Sequence, residues 1–438
     1  MRPRIYLSLL AIAIFYFAKS QGKQKIQTFY EEGQLKEEYF ILRNDSSIVD
    51  GIYIMYDFHG NKIISGSFEN GEKEGLFINF YPNGTLQRTT KYKNNLRQGV
   101  TKVYTTDGKL IQEATFKDDT LVGEIKLYNE AGKIKGTTHF ENGKPDGQVF
   151  SYYENGKVKE ETIYKDGKPN GLTRQYYQTG ILKLEAEYVN GLLDGQYKTY
   201  YPSGQLEMEV VNERGNKSGT LKTYYENGQL KSNGVYKNGS LSGDYLAYFS
   251  NGDLKSKHPY RNGYRSGKSV DYFENGQLKR QATYINDGQD IVIQEFSYKG
   301  NKLVEKQLKN EHPEGVWTFW EENGDFRLSE TYENGELQGV RIEYQKGESV
   351  TEINYDKGRK SGPAFEYYPS GNVMISKHFE LDRLHGSFTK YYKNGQVEYE
   401  GNYIQNKRDN VWKYYDKKGN VIEEITYKNG EKLSTMKK

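Results

Sequence analysis

The sequence predicts an all-β protein, an elongated repeat array of antiparallel β-hairpins in 24-residue units that form a continuous twisted sheet. Three observations carry this. A glycine returns every 24 residues from Gly60 to Gly324, steps by 23 to Gly347, and resumes the period at Gly371, Gly395 and Gly419. With Gly33, 27 residues before Gly60, that makes 17 copies of one unit. Each copy holds two short β-rich runs joined by turn residues, and the second run alternates apolar with polar side chains. A fixed period of this length means stacked supersecondary units whose contacts are mainly with neighbours.

The copy from Gly147 to Gly171 shows the parts in order. Gly147 to Tyr153 is the first strand, and Glu154-Asn155-Gly156-Lys157 follows. Asn-Gly between two such runs predicts a type I′ turn, with positive φ at both central residues. Val158 to Tyr164 is the second strand, and Lys165 to Gly171 reads as a longer turn into the next copy. Positions are counted below from the turn glycine. Positions +2, +6 and +8 (Val158, Thr162, Tyr164) are expected to pack, while +3, +5 and +7 are mostly polar. Period-two alternation gives one packed and one solvated face. The +8 aromatics are expected to be the core column. Position −4 is aromatic in nearly every copy and −3 in many, so Tyr152 and Tyr153 should face opposite ways, one of them more exposed. A second glycine at −9 (Gly75, Gly99, Gly123, Gly147) is expected to supply positive φ in the turn between hairpins. The rule breaks near Asp287 to Lys299, where Ile291 takes the −9 slot. The next copy holds Trp317 and Trp320, and Trp412 shares the −7 slot of Trp317.

Composition narrows the classes of function. Tyr counts 41 and Phe 19, so aromatic rings must supply much of the buried apolar area. Basic residues number 62 against 59 acidic, a net charge of +3 without a basic stripe, and a nucleic-acid partner is not expected. Cys is absent, which rules out disulfides, thiol catalysis and a thiol-linked lipid.

The domain boundaries follow. Residues 1–20 read as a signal peptide. Arg2 and Arg4 precede the apolar run Ile5 to Ala18, and Ala18-Lys19-Ser20 places small residues at the cleavage-determining positions before Gln21. The alternative, an uncleaved anchor, meets a run shorter than the roughly 20 residues needed to span a bilayer. Residues 21–27 are a lead-in, 28–430 the array of 17 units, and 431–438 a basic C-terminal tail. Export to the periplasm or cell envelope is expected, with no transmembrane span after cleavage.

Asn155-Gly156-Lys157-Val158-Lys159-Glu160 and Tyr224-Tyr225-Glu226-Asn227-Gly228-Gln229-Leu230-Lys231 resemble the MORN-repeat variant found in bacterial proteins named as YwqK-type antitoxins. The match covers about residues 28–430. The resemblance implies β-hairpin repeats acting through protein or membrane contacts, with no catalytic residues to transfer. The antitoxin label implies neutralisation of a toxin.

The six His have no metal-binding spacing, and neither a phosphate-binding glycine loop nor a nucleophile elbow occurs. No cofactor is expected. The expected function is a non-enzymatic, exported scaffold for a protein partner. The alternative is a module that binds carbohydrate, cell wall or a lipid surface through its aromatic ladders. Candidate contact residues are Tyr152, Tyr176, Tyr200 and Tyr224 at −4, with Trp317 and Trp320.

Overall fold

The computed structural model describes residues 22–438; the expected signal peptide lies outside them. They contain 39 β-strands and one short 3-10 turn, Asn286–Gly288. The chain divides into two compact units, the first ending at Asn216 and the second beginning at Lys217. The first runs from strand Lys23–Phe29 through strand Leu206–Glu213, and the second holds all but the first residue of strand Asn216–Tyr224 and the strands after it to Glu431–Lys437. Within each, strands adjacent in sequence pair antiparallel, so each unit is built of consecutive hairpins. The predicted fold class is the observed one. Two boundary stretches are part of the sheets: residues 23–27 begin the first strand, and Glu431–Lys437 pairs with Val421–Lys428.

The two kinds of turn are the reverse of the sequence expectation. At Glu154-Asn155-Gly156 only the glycine has positive φ, +84°. The Gly156 amide donates to the Tyr153 carbonyl and the Tyr153 amide to the Lys157 carbonyl, each at 2.8 Å. This is a three-residue loop, a type I turn closed by a glycine bulge. Asn155 serves through its side chain: Oδ1 accepts the Lys157 amide at 3.0 Å, and Nδ2 donates to the Gln178 carbonyl of the next copy at 3.1 Å. The type I′ turn is the other one. Asp166 and Gly167 have φ of +51° and +82° between the paired Lys165 and Lys168. The expected longer turn is therefore two residues, and the next strand, Lys168–Tyr176, starts at once. The −9 glycine does have positive φ, +127° at Gly171, but within a bulge of that strand. Thr162 pairs with Thr173 and Tyr164 with Pro169, leaving two extra residues opposite Ile163. A Cβ on Gly171 would lie 3.2 Å from that of Ile163, so both conformation and space favour glycine.

The irregular steps have local causes. Where Ile291 replaces the −9 glycine, Arg280↔Glu295 to Ile285↔Asp290 pair without a bulge. The residues removed from the bulge reappear in a four-residue turn, 286–289, and the 24-residue period survives. The 23-residue step has a two-residue turn, Lys346-Gly347 (φ +53° and +82°), between the paired Gln345 and Glu348. The 27-residue step has a second bulge between Ile41↔Val49 and Leu42↔Asp45.

The sheets pack through one face, which carries +2, +4, +6, +8, −5 and −7. Its deepest column is +6 with −7, not the expected +8. Ala114, Ala186, Val210, Ala282 and Ile425 at +6 are buried, as are Phe77, Leu221, Ile293, Ala364 and Trp412 at −7. Cross-strand size complementarity explains it. An added Cβ on Gly66 would lie 2.6 Å from Phe77, on Gly234 2.7 Å from Tyr245, and on Gly401 2.3 Å from Trp412. Gly66, Gly234 and Gly401 at +6 each open a seat for the ring at −7 of the next copy. Tyr164 at +8 lies nearer the bulge and is only half-buried.

Candidate functional site

The other face carries +3, +5, +7, −4, −6 and −8, and its side chains form ladders that repeat with the hairpins. Through the middle of the first unit, basic residues at −6 meet glutamates at +5. Lys102 pairs with Glu113 at 2.8 Å, and Arg174 bridges Glu161 at 3.0 Å and Glu185 at 2.8 Å. The −4 tyrosines join this ladder, as Tyr128 donates to Glu113 at 2.7 Å and Tyr176 to Glu161 at 3.1 Å. The second unit repeats the contact from Tyr415 to Glu400 at 2.6 Å. Burial and the neighbouring carboxylate push the Tyr128 and Tyr415 hydroxyls up to about 12. Bonds from Lys102 and Tyr128 hold the Glu113 carboxyl below its ordinary value.

The −3 tyrosines have a different task. Tyr153 donates to the Tyr176 carbonyl at 2.6 Å and Tyr177 to the Tyr200 carbonyl at 2.8 Å. In the second unit Tyr225, Tyr368 and Tyr392 make the same bond to Tyr248, Tyr391 and Tyr415. Each pins its turn to the next hairpin, a net contribution of about 1 kcal/mol apiece. Lysines at +3 lie over several of these rings, as Lys183 over Tyr177 at 5.8 Å and Lys231 over Tyr225 at 5.6 Å.

Of the candidate residues, Tyr152, Tyr176 and Tyr200 occupy one column of the first unit. Tyr152 stacks on Phe150 at 6.2 Å. Burial, then the charges of Glu185 and Glu209, raises the Tyr200 hydroxyl. Tyr224 holds the equivalent slot in the second unit and is half-buried. Tyr152 and Tyr153 are both half-buried, so the expected contrast in exposure is absent; Tyr152 lies against Phe150 of its own strand and Tyr153 reaches the backbone of the next hairpin. The two tryptophans lie on opposite faces. Trp320 sits 5.9 Å from Phe326 with Lys302 above it at 5.4 Å. Trp317 is on the packed face, 4.9 Å from Tyr332, its indole N–H donating to the Gln307 carbonyl at 2.9 Å. Lys306 fills its +6 seat, so Trp317 is half-buried while Trp412, seated over Gly401, is fully buried. Among the described residues no three of His, Cys, Asp and Glu are placed to hold a metal ion, and no helix is long and apolar enough to cross a membrane.

The sequence reading missed a row of exposed aliphatic residues at the cross-strand pair −8 and +7. In the first unit Ile52 is 59% exposed, Leu76 52% and Val100 46%, and Ile163 and Val211 are also exposed. In the second unit Val235, Val316, Val340 and Val411 repeat the pattern. The available signal was an aliphatic residue in one of these two slots in most copies, on strands whose −8 parity the bulge hides.

Fold and ladders together define a β-hairpin repeat protein. The chain belongs to the MORN repeat variant family, which matches it in nine successive segments from 73–94 through 265–286 and again at 384–405 and 408–429, more than half of its length. Each full segment begins eleven residues before a turn glycine, so the family unit is the hairpin closed by the three-residue turn. The unmatched stretch between them holds the bulge-free copy, the 23-residue step, Trp317 and Trp320. No curated protein matches the chain. The crystal structure of TcdB2-TccC3 is similar over 92% of this chain at 11% identity and a TM-score of 0.13, which carries no argument. This chain spans 28% of the length of that one.

Proposed function

We propose that the protein is an exported, non-catalytic scaffold whose open face binds another protein, in the manner of an antitoxin or immunity factor at the cell envelope. The observation that supports this is the exposed aliphatic row. Isolated apolar side chains are ordinary on a surface, but recurrence at one slot in successive hairpins is a binding pattern. Of the tyrosines expected to make the contacts, Tyr176 donates to Glu161 and Tyr152 stacks on Phe150. They are assigned to holding the face in shape and the aliphatic row to contact.

The test is capture from envelope extract by the intact chain, by a triple variant Ile52→Ser, Leu76→Ser, Val100→Ser, and by Tyr153→Phe with Tyr177→Phe. Retention of a defined protein by the wild type and its loss in the serine variant, with the melting temperature unchanged, is expected. The phenylalanine pair should capture normally and melt lower. Equal capture by all three would overturn the assignment. Binding on a glycan array with no protein captured would favour the carbohydrate reading. The mature exported chain should begin at Gln21 by mass spectrometry.

A further inference from the structure

The packed face of the first unit has a seat that the chain leaves unfilled. Most copies place a ring or an aliphatic side chain at −7, but three place a hydroxyl there: Thr101, Thr173 and Ser269. Each of these hydroxyls is buried without a hydrogen-bond partner. Next to Ser269 the +6 residue is His258, bonded to Asp271 at 2.8 Å and to Arg265 at 3.3 Å, and it takes up the space. Beside Thr173 the row of −5 and +4 residues is Glu160, Gln175 and Leu184, with no cation. Around Thr101 there is a pocket of about 380 Å³, within the roughly 300–1,000 Å³ of small-ligand sites.

Its floor is Thr90, Thr101 and Ala114, all small and at most 8% exposed. Along one side the paired residues Asn79 and Arg88, then Val103 and Gln112, form a row across four strands. Along the other stand the rings of Tyr92 and Phe116. Arg97 stacks on Phe116 at 4.0 Å, and Asp119 meets its charge at 2.9 Å. Arg88 is exposed, and its guanidinium has no hydrogen bond or ion pair among the described residues. The side-chain amides of Asn79 and Gln112 have no partner there either, and no carboxylate lines the pocket.

From this geometry we infer that the Thr101 pocket binds a sugar acid, a pyranose carrying one carboxylate. The inference is independent of the scaffold reading, because the pocket opens on the face opposite the aliphatic row. Charge is the first argument. One uncompensated cation suits a monoanion, and a guanidinium matches a carboxylate through two parallel hydrogen bonds. A phosphate ester, at roughly −1.5 to −2, would leave charge unmatched. Hydrogen bonding is the second. Each free amide both donates and accepts, as a sugar hydroxyl does, whereas a carboxylate only accepts and leaves the amide carbonyls unserved. Shape is the third. The empty −7 slot is the size of a six-membered ring, since aromatic side chains fill it in other copies, and Tyr92 and Phe116 offer apolar surface to the C–H faces of a pyranose.

The experiment is titration calorimetry of the full chain with glucuronate and galacturonate. The controls are glucose, which lacks the carboxylate, benzoate, which lacks the hydroxyls, and inorganic phosphate. Saturable binding of at least one sugar acid is expected, with each control about tenfold weaker or more. Arg88→Gln should weaken binding about tenfold or more, the scale of hydrogen bonds to a charged group. Thr101→Phe puts into the slot the kind of ring that Tyr197 places between Ala186 and Val210. It should abolish binding without lowering the melting temperature. Arg280→Gln changes the same +4 slot in the second unit and should leave binding unchanged. Failure of both sugar acids to bind, equal binding of any control, or indifference to Arg88→Gln would overturn the proposal. So would undiminished binding by Thr101→Phe. Capture of a protein partner by Arg88→Gln should match the wild type, so the two readings stand or fall separately.

Discussion

At the scale of single residues, stability is concentrated where a missing Cβ meets a ring. Trp412 is fully buried over Gly401, flanked by Tyr403 at 5.1 Å and Phe388 at 5.8 Å, with Arg408 stacked at 4.2 Å. Trp412→Ala should cost about 3–5 kcal/mol in denaturant melts, the range for emptying an aromatic site. Gly401→Ala would force a methyl to 2.3 Å from the indole and should cost roughly 1–3 kcal/mol. Combining Gly401→Ala with Trp412→Leu should cost less than the two single changes together, because each relieves the other's defect. Strict additivity would mean that the +6 and −7 positions do not share one site. Tyr164→Ala, at the half-buried +8 position, should cost less than Trp412→Ala.

At the scale of elements, the hairpin was legible and its turn chemistry was not. Recurrent Asn-Gly marked the right place between two strands, but Asn and Gly favour several turns for different reasons. Gly156 supplies positive φ, whereas Asn155 supplies two hydrogen bonds, one to a residue 23 positions on that no local reading reveals. Asn155→Gly separates the two accounts. A type I′ turn would tolerate glycine there, while loss of the side-chain bonds should destabilise by about 1 kcal/mol or slightly more. An unchanged urea midpoint would contradict the assigned turn. The bulge at Gly171 was hidden for a related reason. Two added residues restore the alternation beyond it, so the pattern looks continuous except for a glycine of unassigned purpose. That bulge is also why the exposed −8 row escaped notice. By contrast the period, the class of fold and the packing of +6 follow from local composition and were readable, whereas the −7 column opposite it emerged only with the register. The aromatic candidates were chosen for chemistry that rings often perform at interfaces; their partners in neighbouring strands could be seen only with the register in hand.

At the scale of the whole molecule, repeated tyrosines make stability depend on alkaline pH. Burial, followed by a bonded glutamate, pushes Tyr128, Tyr332, Tyr367 and Tyr415 up to about 12. Unfolded tyrosines titrate near 10, so above that pH the unfolded chain has lost protons that the native chain keeps. This contribution is complete below about pH 10 and disappears as pH rises through the folded values. Denaturant melts should show stability falling steeply from about pH 10 to 12, and tyrosinate absorbance of the native protein should lag that of the unfolded chain. Coincident titration of the two states would refute the burial of these hydroxyls.

The central claim is that the 24-residue hairpin is the unit of structure, joined to its neighbours by pins that span 20 to 23 residues. The direct measurement is a pair of deletions in the first unit, followed by circular dichroism and thermal melting. Removing Gly156 to Thr179, one full period, leaves strand parity, turn type and every later pin in phase. This variant should fold cooperatively with the native β spectrum and a somewhat lower melting temperature. Removing Gly156 to Gly167, half a period, deletes one strand and brings each following strand into the sheet reversed. It should lose the cooperative transition of that unit. Equal disruption by both deletions, or equal tolerance of both, would contradict the account.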